Sequence, residues 1–533
     1  MQKNNQNSKY EATIGLEIHA ELKTKSKMFC SCKNNPFNSG PNENVCPVCL
    51  GMPGTLPVLN KKAIEDTILT GLALNCKVNE FTKWDRKNYF YPDIPKGYQI
   101  SQYDLPLVYD GYLEIANSEQ QTANSKQLTA NSRKIGITRI HLEEDTGTSK
   151  HPEGREDVDY SLLDFNRAGV PLMELVTEPD IRSASEAKEF CKNYQQILRT
   201  LGVADADMEK GQMRCEANIS VRNIINSKSE IRNPKQIQNP KSKYQNLGTK
   251  VEVKNLNSFR SVEKAIEYEI ERQIEALENG DKIVQETRGW DEKKNQTYIM
   301  RKKETSADYR YFPEPDIPPV IILENSKSET LNSKQILSLK SQTQNIINID
   351  EIRKQLPELP KDKVERYVRD YKISKSDAEI IANNPAMREY FEKISKSKFQ
   401  ITNKIQISNY KIIANWIVNE IPDLSIKPEH LAELVNLITS GKISQKIAKD
   451  ILPEIKKGKS PEKIIKEKGL EQVSDTGEID KIVEKVIKEN PDAVEKIKSG
   501  QMGVIGFLVG QVMKESKGKA NPKVVNEILR SKI

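Results

Sequence analysis

Residues Ile14-Gly15-Leu16-Glu17-Ile18-His19-Ala20-Glu21 alternate strictly along the chain. Only an extended strand sends successive side chains to opposite faces, so Ile14, Leu16, Ile18 and Ala20 go to a core and Glu17, His19 and Glu21 gather on the other face. Met213 to Val221 repeats the pattern, with Arg214, Glu216, Asn218 and Ser220 opposite an apolar face. Lys250 to Lys254 repeats it again, setting Lys250, Glu252 and Lys254 against Val251 and Val253. Strands of this kind in one sheet pack on one side and leave a polar floor on the other.

A fourth segment, Ile140-His141-Leu142-Glu143-Glu144-Asp145-Thr146-Gly147, adds consecutive acids before a glycine. Glu143 and Glu144 cannot both face the floor of a regular strand, so a bulge or a strand end is expected there. Charged outer faces are ordinary on half-exposed strands taken singly. Here four such segments occur together, and two of the chain's 4 histidines lie inside them. Carboxylates gathered on one floor repel unless a cation sits among them, and Mg²⁺, with its oxygen ligands and retained waters, is the natural candidate.

Helices are signalled after these strands. One starts at Ser183 and ends before Gly202; another follows Ser258 and ends before Gly280. Helices and strands do not alternate regularly, which points to α+β rather than a doubly wound sheet. Residues 116–134, 224–247 and 325–349 are rich in Asn, Ser, Gln and Lys and lack apolar periodicity, so they read as solvated loop insertions. From Glu351 onward the pattern is helical. A length of 533 residues implies about three domains: a catalytic domain over 1–300, a helical linker domain over 301–405 and a helical tail over 406–533. The net charge of +7 permits nucleic-acid binding without demanding it. No apolar run approaches a membrane span and no targeting segment is expected, so the cytoplasm is the default compartment.

Four of the 7 cysteines cluster as Cys30, Cys32, Cys46 and Cys49. Two close thiol pairs separated by a short loop are the knuckle pattern of a structural Cys₄ zinc site, and a closed site of that kind leaves catalysis elsewhere. Asp85-Arg86-Lys87-Asn88-Tyr89-Phe90-Tyr91-Pro92-Asp93 joins cations to aromatics, which suits a phosphate or nucleotide edge and equally suits a turn-forming surface loop. No Walker-type loop occurs, so an ATP site here is of another type.

Several strings resemble signatures of the GatB family, the B subunits of aspartyl/glutamyl-tRNA(Asn/Gln) amidotransferases. They are Gly15 to Leu22, Asp85 to Asp93, Arg139 to Asp145, Leu163 to Leu172, Glu178-Pro179-Asp180, Asp308 to Asp316, Gly506 to Met513 and Lys517 to Pro522. The resemblance covers nearly the whole chain apart from the insertions. It implies a ligase that uses ATP and Mg²⁺ to phosphorylate the side-chain carboxyl of Glu on tRNA(Gln) or of Asp on tRNA(Asn). Ammonia from the glutaminase, the A chain of the complex, then displaces phosphate, and a small C chain straps the heterotrimer. It further implies an N-terminal cradle with an antiparallel sheet resembling the glutamine synthetase core, then the all-α linker and tail, the tail holding tRNA.

Carried over by motif, Glu17, His19, Glu143, Glu144, Glu216 and Glu252 surround the metal ions, while Lys87 and Lys254, with Arg86, hold phosphate. The family commonly has Asp where this chain has Glu216, which moves the carboxylate by about one C–C bond. Two rival readings are a non-catalytic tRNA-binding scaffold and an independent metal-dependent phosphotransferase or hydrolase. The second leaves the helical tail unexplained. A self-sufficient amidotransferase is disfavoured, because Cys191 lies on the apolar side of its helix and no reactive Cys–His pair is evident.

Overall fold

A computed structural model describes residues 9–116, 132–150, 160–224, 247–302, 309–324, 345–396, 407–470, 476–516, 520 and 522–533. Most of each expected insertion lies outside these residues. The chain forms two compact units, Met1–Pro357 and Glu358–Ile533.

The first unit contains β1 (Tyr10–Glu21), β2 (Lys77–Val78), β3 (Phe81–Thr82), β4 (Asp85–Asn88), β5 (Tyr98–Ser101), β6 (Val108–Ala116), β7 (Ser132–Glu144), β8 (Thr148–Lys150) and β9 (Leu162–Asp164). After these come β10 (Pro171–Thr177), β11 (Met213–Asn223), β12 (Val251–Leu256), β13 (Glu286–Asp291), β14 (Gln296–Lys302), β15 (Phe312–Pro313), β16 (Val320–Leu323) and β17 (Ile346–Asn348). A nine-stranded sheet runs in the order β14-β13-β12-β11-β1-β10-β7-β6-β2. Its pairs are antiparallel except β12 with β13, which are parallel. The exception has a cause: the helix Phe259–Glu278 follows β12, and a crossover of that length returns the chain in the same direction.

The alternation in β1 settles which face packs. Ile14, Leu16, Ile18 and Ala20 are wholly buried, as are Met213, Ala217, Val251 and Val253 of the neighbouring strands. Helices Ala184–Leu201 and Phe259–Glu278 cover this side with Phe190, Cys191, Tyr194, Val262 and Ile266. Ser183 Oγ accepts the Glu186 N–H at 3.2 Å and Ser258 Oγ the Ser261 N–H at 3.0 Å, so both helices begin at the expected caps. Gly202, at φ 72, closes the first in the left-handed conformation.

Three differences from the sequence reading have physical reasons. Ser132–Lys134 and Ile346–Asn348 fall within ranges read as loops, yet they pair with β6 and β16, because ladder hydrogen bonds hold three-residue stretches too short for periodicity to reveal. The first unit also runs past residue 300, since β15 pairs with β4 and β16 with β3. In the second unit one apolar core runs from Tyr367 to Ile465 across the boundary placed at 405. A separate core joins Ile479, Val483, Leu508, Val512, Val525 and Leu529. Among the described residues no helix is long and apolar enough to cross a membrane.

Candidate active site

The outer face of the central strands is the polar floor that the alternation demands. Glu174 of β10 stands directly opposite His19 of β1 on one side and His141 of β7 on the other, and His19 also faces Arg214 of β11. In the next row Glu17 faces Glu216, and in the one beyond Asn218 faces Glu252. Directly opposed residues share a face, so three rows of charge line up across five strands.

Two trios of metal-competent side chains result: His19, Glu143 and Glu174, and Glu17, Glu216 and Glu252, with the ligand atoms of each trio within 4.8 Å of one another. His19 Nε2 lies 3.2 Å from Glu174 Oε2 and 3.6 Å from Glu143 Oε1. His141 Nε2 lies 3.3 Å from the same Glu174 oxygen. In the other trio Lys254 Nζ is 2.9 Å from Glu216 and 3.6 Å from Glu252. Asn218 donates to Glu17 at 2.7 Å, and Thr287 donates to Glu252 at 2.7 Å.

The two trios differ electrostatically. Burial penalises the charge on Glu174, but His141 and His19 outweigh it and hold that carboxyl well below the usual range. Burial likewise opposes charge on His141, which Glu174 and Glu143 nevertheless raise to about 9. Glu17 is pushed up by burial, then by Glu174 and Glu216. A buried carboxyl pushed up by its acidic neighbours, as Glu17 is, is relieved by a bound divalent cation. Buried polar atoms without a hydrogen-bond partner here, His141 Nδ1 and Asn218 Oδ1, fit a floor made to meet further groups.

The floor lies at the bottom of a cleft of about 1610 Å³. Lys87 projects into it from β4, flanked by the Tyr89 and Tyr309 rings at 5.7 and 5.3 Å. Burial opposes its charge, but Glu143 and Glu174 keep its ammonium protonated beyond the ordinary lysine range. Phe90, Tyr91, Tyr103 and Phe312 are exposed along the lining, and Tyr103 stacks on Tyr311 at 4.4 Å.

Two residues expected in the site face elsewhere. β7 keeps regular register to its end at Glu144, so Glu143 faces the floor and Glu144 the opposite side. There Glu144 pairs with Lys96 and accepts the Ile100 N–H at 2.9 Å. Arg86 alternates with Lys87 and turns away from the cleft, forking onto Glu314 at 2.6 and 2.9 Å beneath Tyr98. Sequence reasoning missed Glu174. Its signal was a single Glu inside the apolar run Val170 to Val176.

The four cysteines converge as well. Cys49 Sγ lies 3.4 Å from Cys30, 3.5 Å from Cys46 and 3.7 Å from Cys32. A tetrahedral zinc with Zn–S bonds of about 2.3 Å puts its sulfurs about 3.8 Å apart, so the set fits zinc after slight expansion. Hydrogen bonding from Cys30 and the charge of Lys27 lower the Cys49 thiol to about 4.

Known proteins resemble this chain from end to end. Residues 12–328 match the family described as the GatB/GatE catalytic domain, and residues 389–533 match the GatB domain. A Persephonella marina protein, named as the B subunit of aspartyl/glutamyl-tRNA(Asn/Gln) amidotransferase, is 49% identical over 98% of this chain and 99% of its own length. Proteins of the same name from Carboxydothermus hydrogenoformans and Thermodesulfovibrio yellowstonii are 46% and 47% identical, each over 98% of this chain and 99% and 98% of their own lengths. With both domains matched and relatives this similar over their full lengths, the chain belongs to the GatB family, the B subunits of aspartyl/glutamyl-tRNA(Asn/Gln) amidotransferases.

Proposed function

We propose that this chain is the carboxyl-activating and tRNA-binding component of a multi-subunit, ATP-dependent amidotransferase. It binds Glu-tRNA(Gln) or Asp-tRNA(Asn) and brings the side-chain carboxylate of the amino acid against the γ-phosphorus of ATP. The P–O bond to ADP breaks as the carboxylate oxygen bonds to phosphorus, giving an acyl phosphate. Ammonia supplied by the glutaminase of the complex then attacks the carbonyl carbon and expels phosphate, leaving the amide. A small third chain completes the heterotrimer, and the cradle does the same kind of chemistry as glutamine synthetase, which also activates a glutamate side chain.

The observation that carries this reading is the pair of trios side by side on one floor, with Lys87 and Lys254 beside them. Phosphoryl transfer needs positioning and charge neutralisation more than covalent help from the protein. Mg²⁺ held by His19, Glu143 and Glu174 and by Glu17, Glu216 and Glu252 would neutralise charge on the transferring phosphoryl group. Lys87 and Lys254 hold phosphate oxygens. His141 holds Glu174 in place by its Nε2 contact, while Asn218 and Thr287 fix the rotamers of Glu17 and Glu252. The Cys₄ knuckle holds zinc in a structural role, and the helical tail grips the tRNA.

The test is ATP hydrolysis by the assembled trimer with and without misacylated tRNA. Hydrolysis that depends on the tRNA, with an amidated product when glutamine is present, is the expected outcome. A tRNA-binding scaffold would bind the RNA and hydrolyse nothing.

A further inference from the structure

Lys27 is wholly buried. A buried ammonium is costly unless it meets an anion and satisfies its donors. Its Nζ donates to Asn44 O at 2.7 Å and to Phe165 O at 3.4 Å, and it reaches Cys49 Sγ at 3.7 Å. Its hydrogen-bond partners are these two carbonyls and the sulfur. Neither carbonyl carries charge, and the nearby buried Glu144 carboxylate is paired with Lys96, so the anionic partner within hydrogen-bond reach of Lys27 is the Cys49 sulfur as a thiolate.

We propose that Lys27 is a charge-compensating outer residue of the Cys₄ metal, neutralising part of the tetrathiolate charge at Cys49 while pinning the knuckle to the turn after β9. Four thiolates around a divalent ion leave two negative charges, and one buried ammonium halves them. The pinning is reinforced nearby: Asn44 N–H donates to Asn166 Oδ1 at 2.8 Å, and Met28 N–H donates to Gly169 O at 2.7 Å. Gly169 N–H in turn donates to Asp145 O at 2.9 Å, two residues from the floor carboxylate Glu143. Lys27 therefore stands where the knuckle meets the strand that carries the site.

The proposal rests on the reading of the knuckle as a tetrathiolate metal site, and the experiment separates the two. The full chain, in its complex, is loaded with Zn²⁺, and metal release to the chelator 4-(2-pyridylazo)resorcinol is timed for wild type and Lys27→Met. The same proteins reconstituted with Co²⁺ report the energy of the sulfur-to-cobalt charge-transfer band. Lys27→Met releases zinc roughly tenfold faster or more, and its charge-transfer band moves to lower energy because the thiolate has lost a neighbouring cation. A lysine that merely fills space would leave that band in place. Release at the wild-type rate with an unmoved band overturns the role of Lys27. A wild type that takes up neither Zn²⁺ nor Co²⁺ removes the metal site itself, and the proposal with it. Should Lys27→Met fail to fold, Lys27→Gln keeps a donor for the carbonyls and drops the charge. The same faster release and band shift in that variant support the proposal, and wild-type behaviour overturns it.

Discussion

Glu174 and His19 face each other directly across the β1–β10 pair, with Oε2 3.2 Å from Nε2. Because the same oxygen lies 3.3 Å from His141, one carboxylate fixes two imidazoles. Glu174→Gln keeps the shape and removes the charge that both histidines answer. We expect tRNA-dependent ATP hydrolysis to fall ~100-fold or more, with glutamine hydrolysis by the glutaminase largely intact. Turnover within a few-fold of wild type would remove Glu174 from the proposed metal-binding set.

Neighbouring acids on β7 should behave in opposite ways. Glu143 faces the floor, whereas Glu144 is buried against Lys96 on the other side. Glu143→Gln should abolish ATP turnover. Glu144→Gln leaves the Lys96 charge without its partner, which costs about 3–5 kcal/mol when a buried pair is broken. It should therefore lower the melting temperature while the KM for ATP of the folded fraction stays near wild type. The reverse ranking of the two variants would restore Glu144 to the site.

Arg86 makes a similar case in the three-stranded sheet β15-β4-β5. Its fork onto Glu314 needs a planar guanidinium, so Arg86→Lys loses one of two charge-assisted hydrogen bonds, about 1.5–3 kcal/mol. Reduced stability with unchanged ATP affinity is expected in a urea titration paired with KM measurement. A large rise in the KM for ATP would return Arg86 to phosphate binding.

For the knuckle, metal analysis of protein purified without a metal-binding tag should find about one zinc per chain. Cys46→Ser should release it, lower the melting temperature and open the segment from Met28 to Met52 to proteolysis. Full loss of metal with no change in melting temperature would count against a structural role.

How far these residues were legible follows from periodicity. Alternation revealed β1, β11 and β12, and with them Glu17, His19, Glu216, Glu252 and Lys254, because burial of one face imposes the period. Glu174 stayed hidden because β10 is buried on nearly every position, so its sequence has no alternation to sort faces by. The faces of Glu144 and Arg86 were not legible because a charged residue next to another on a strand carries no sign of its face unless strand register is known. The short strands β15 and β16 escaped for a different reason. Their partners lie more than two hundred residues away in β4 and β3, and no local pattern reports such a pairing.

The helix Ile505–Glu515 turns Gly506, Phe507 and Gly510 to solvent, and a Cβ added at Gly503, Gly506 or Gly510 would meet nothing within 4 Å. Packing among the described residues of the second unit therefore does not explain these glycines, although Gly506 and Gly510 each cost ~1 kcal/mol in a helix relative to alanine. Close approach of an RNA backbone does explain them, if the tail holds tRNA. Gly506→Ala with Gly510→Ala should raise the thermal stability of the helix and also raise the KM for misacylated tRNA. A stabilising change that weakens binding is hard to obtain from a helix that only aids solubility. Deletion gives the complementary test, and the core from Tyr367 to Ile465 says where to cut. Ending the chain after Leu470 leaves that core whole and removes the second one, whereas a cut near Tyr410 would break the first. The shortened complex should show a higher KM for tRNA and a flatter dependence on salt, since phosphate contacts by residues such as Lys514 are lost. An unchanged KM in both experiments would leave tRNA recognition to the cradle alone.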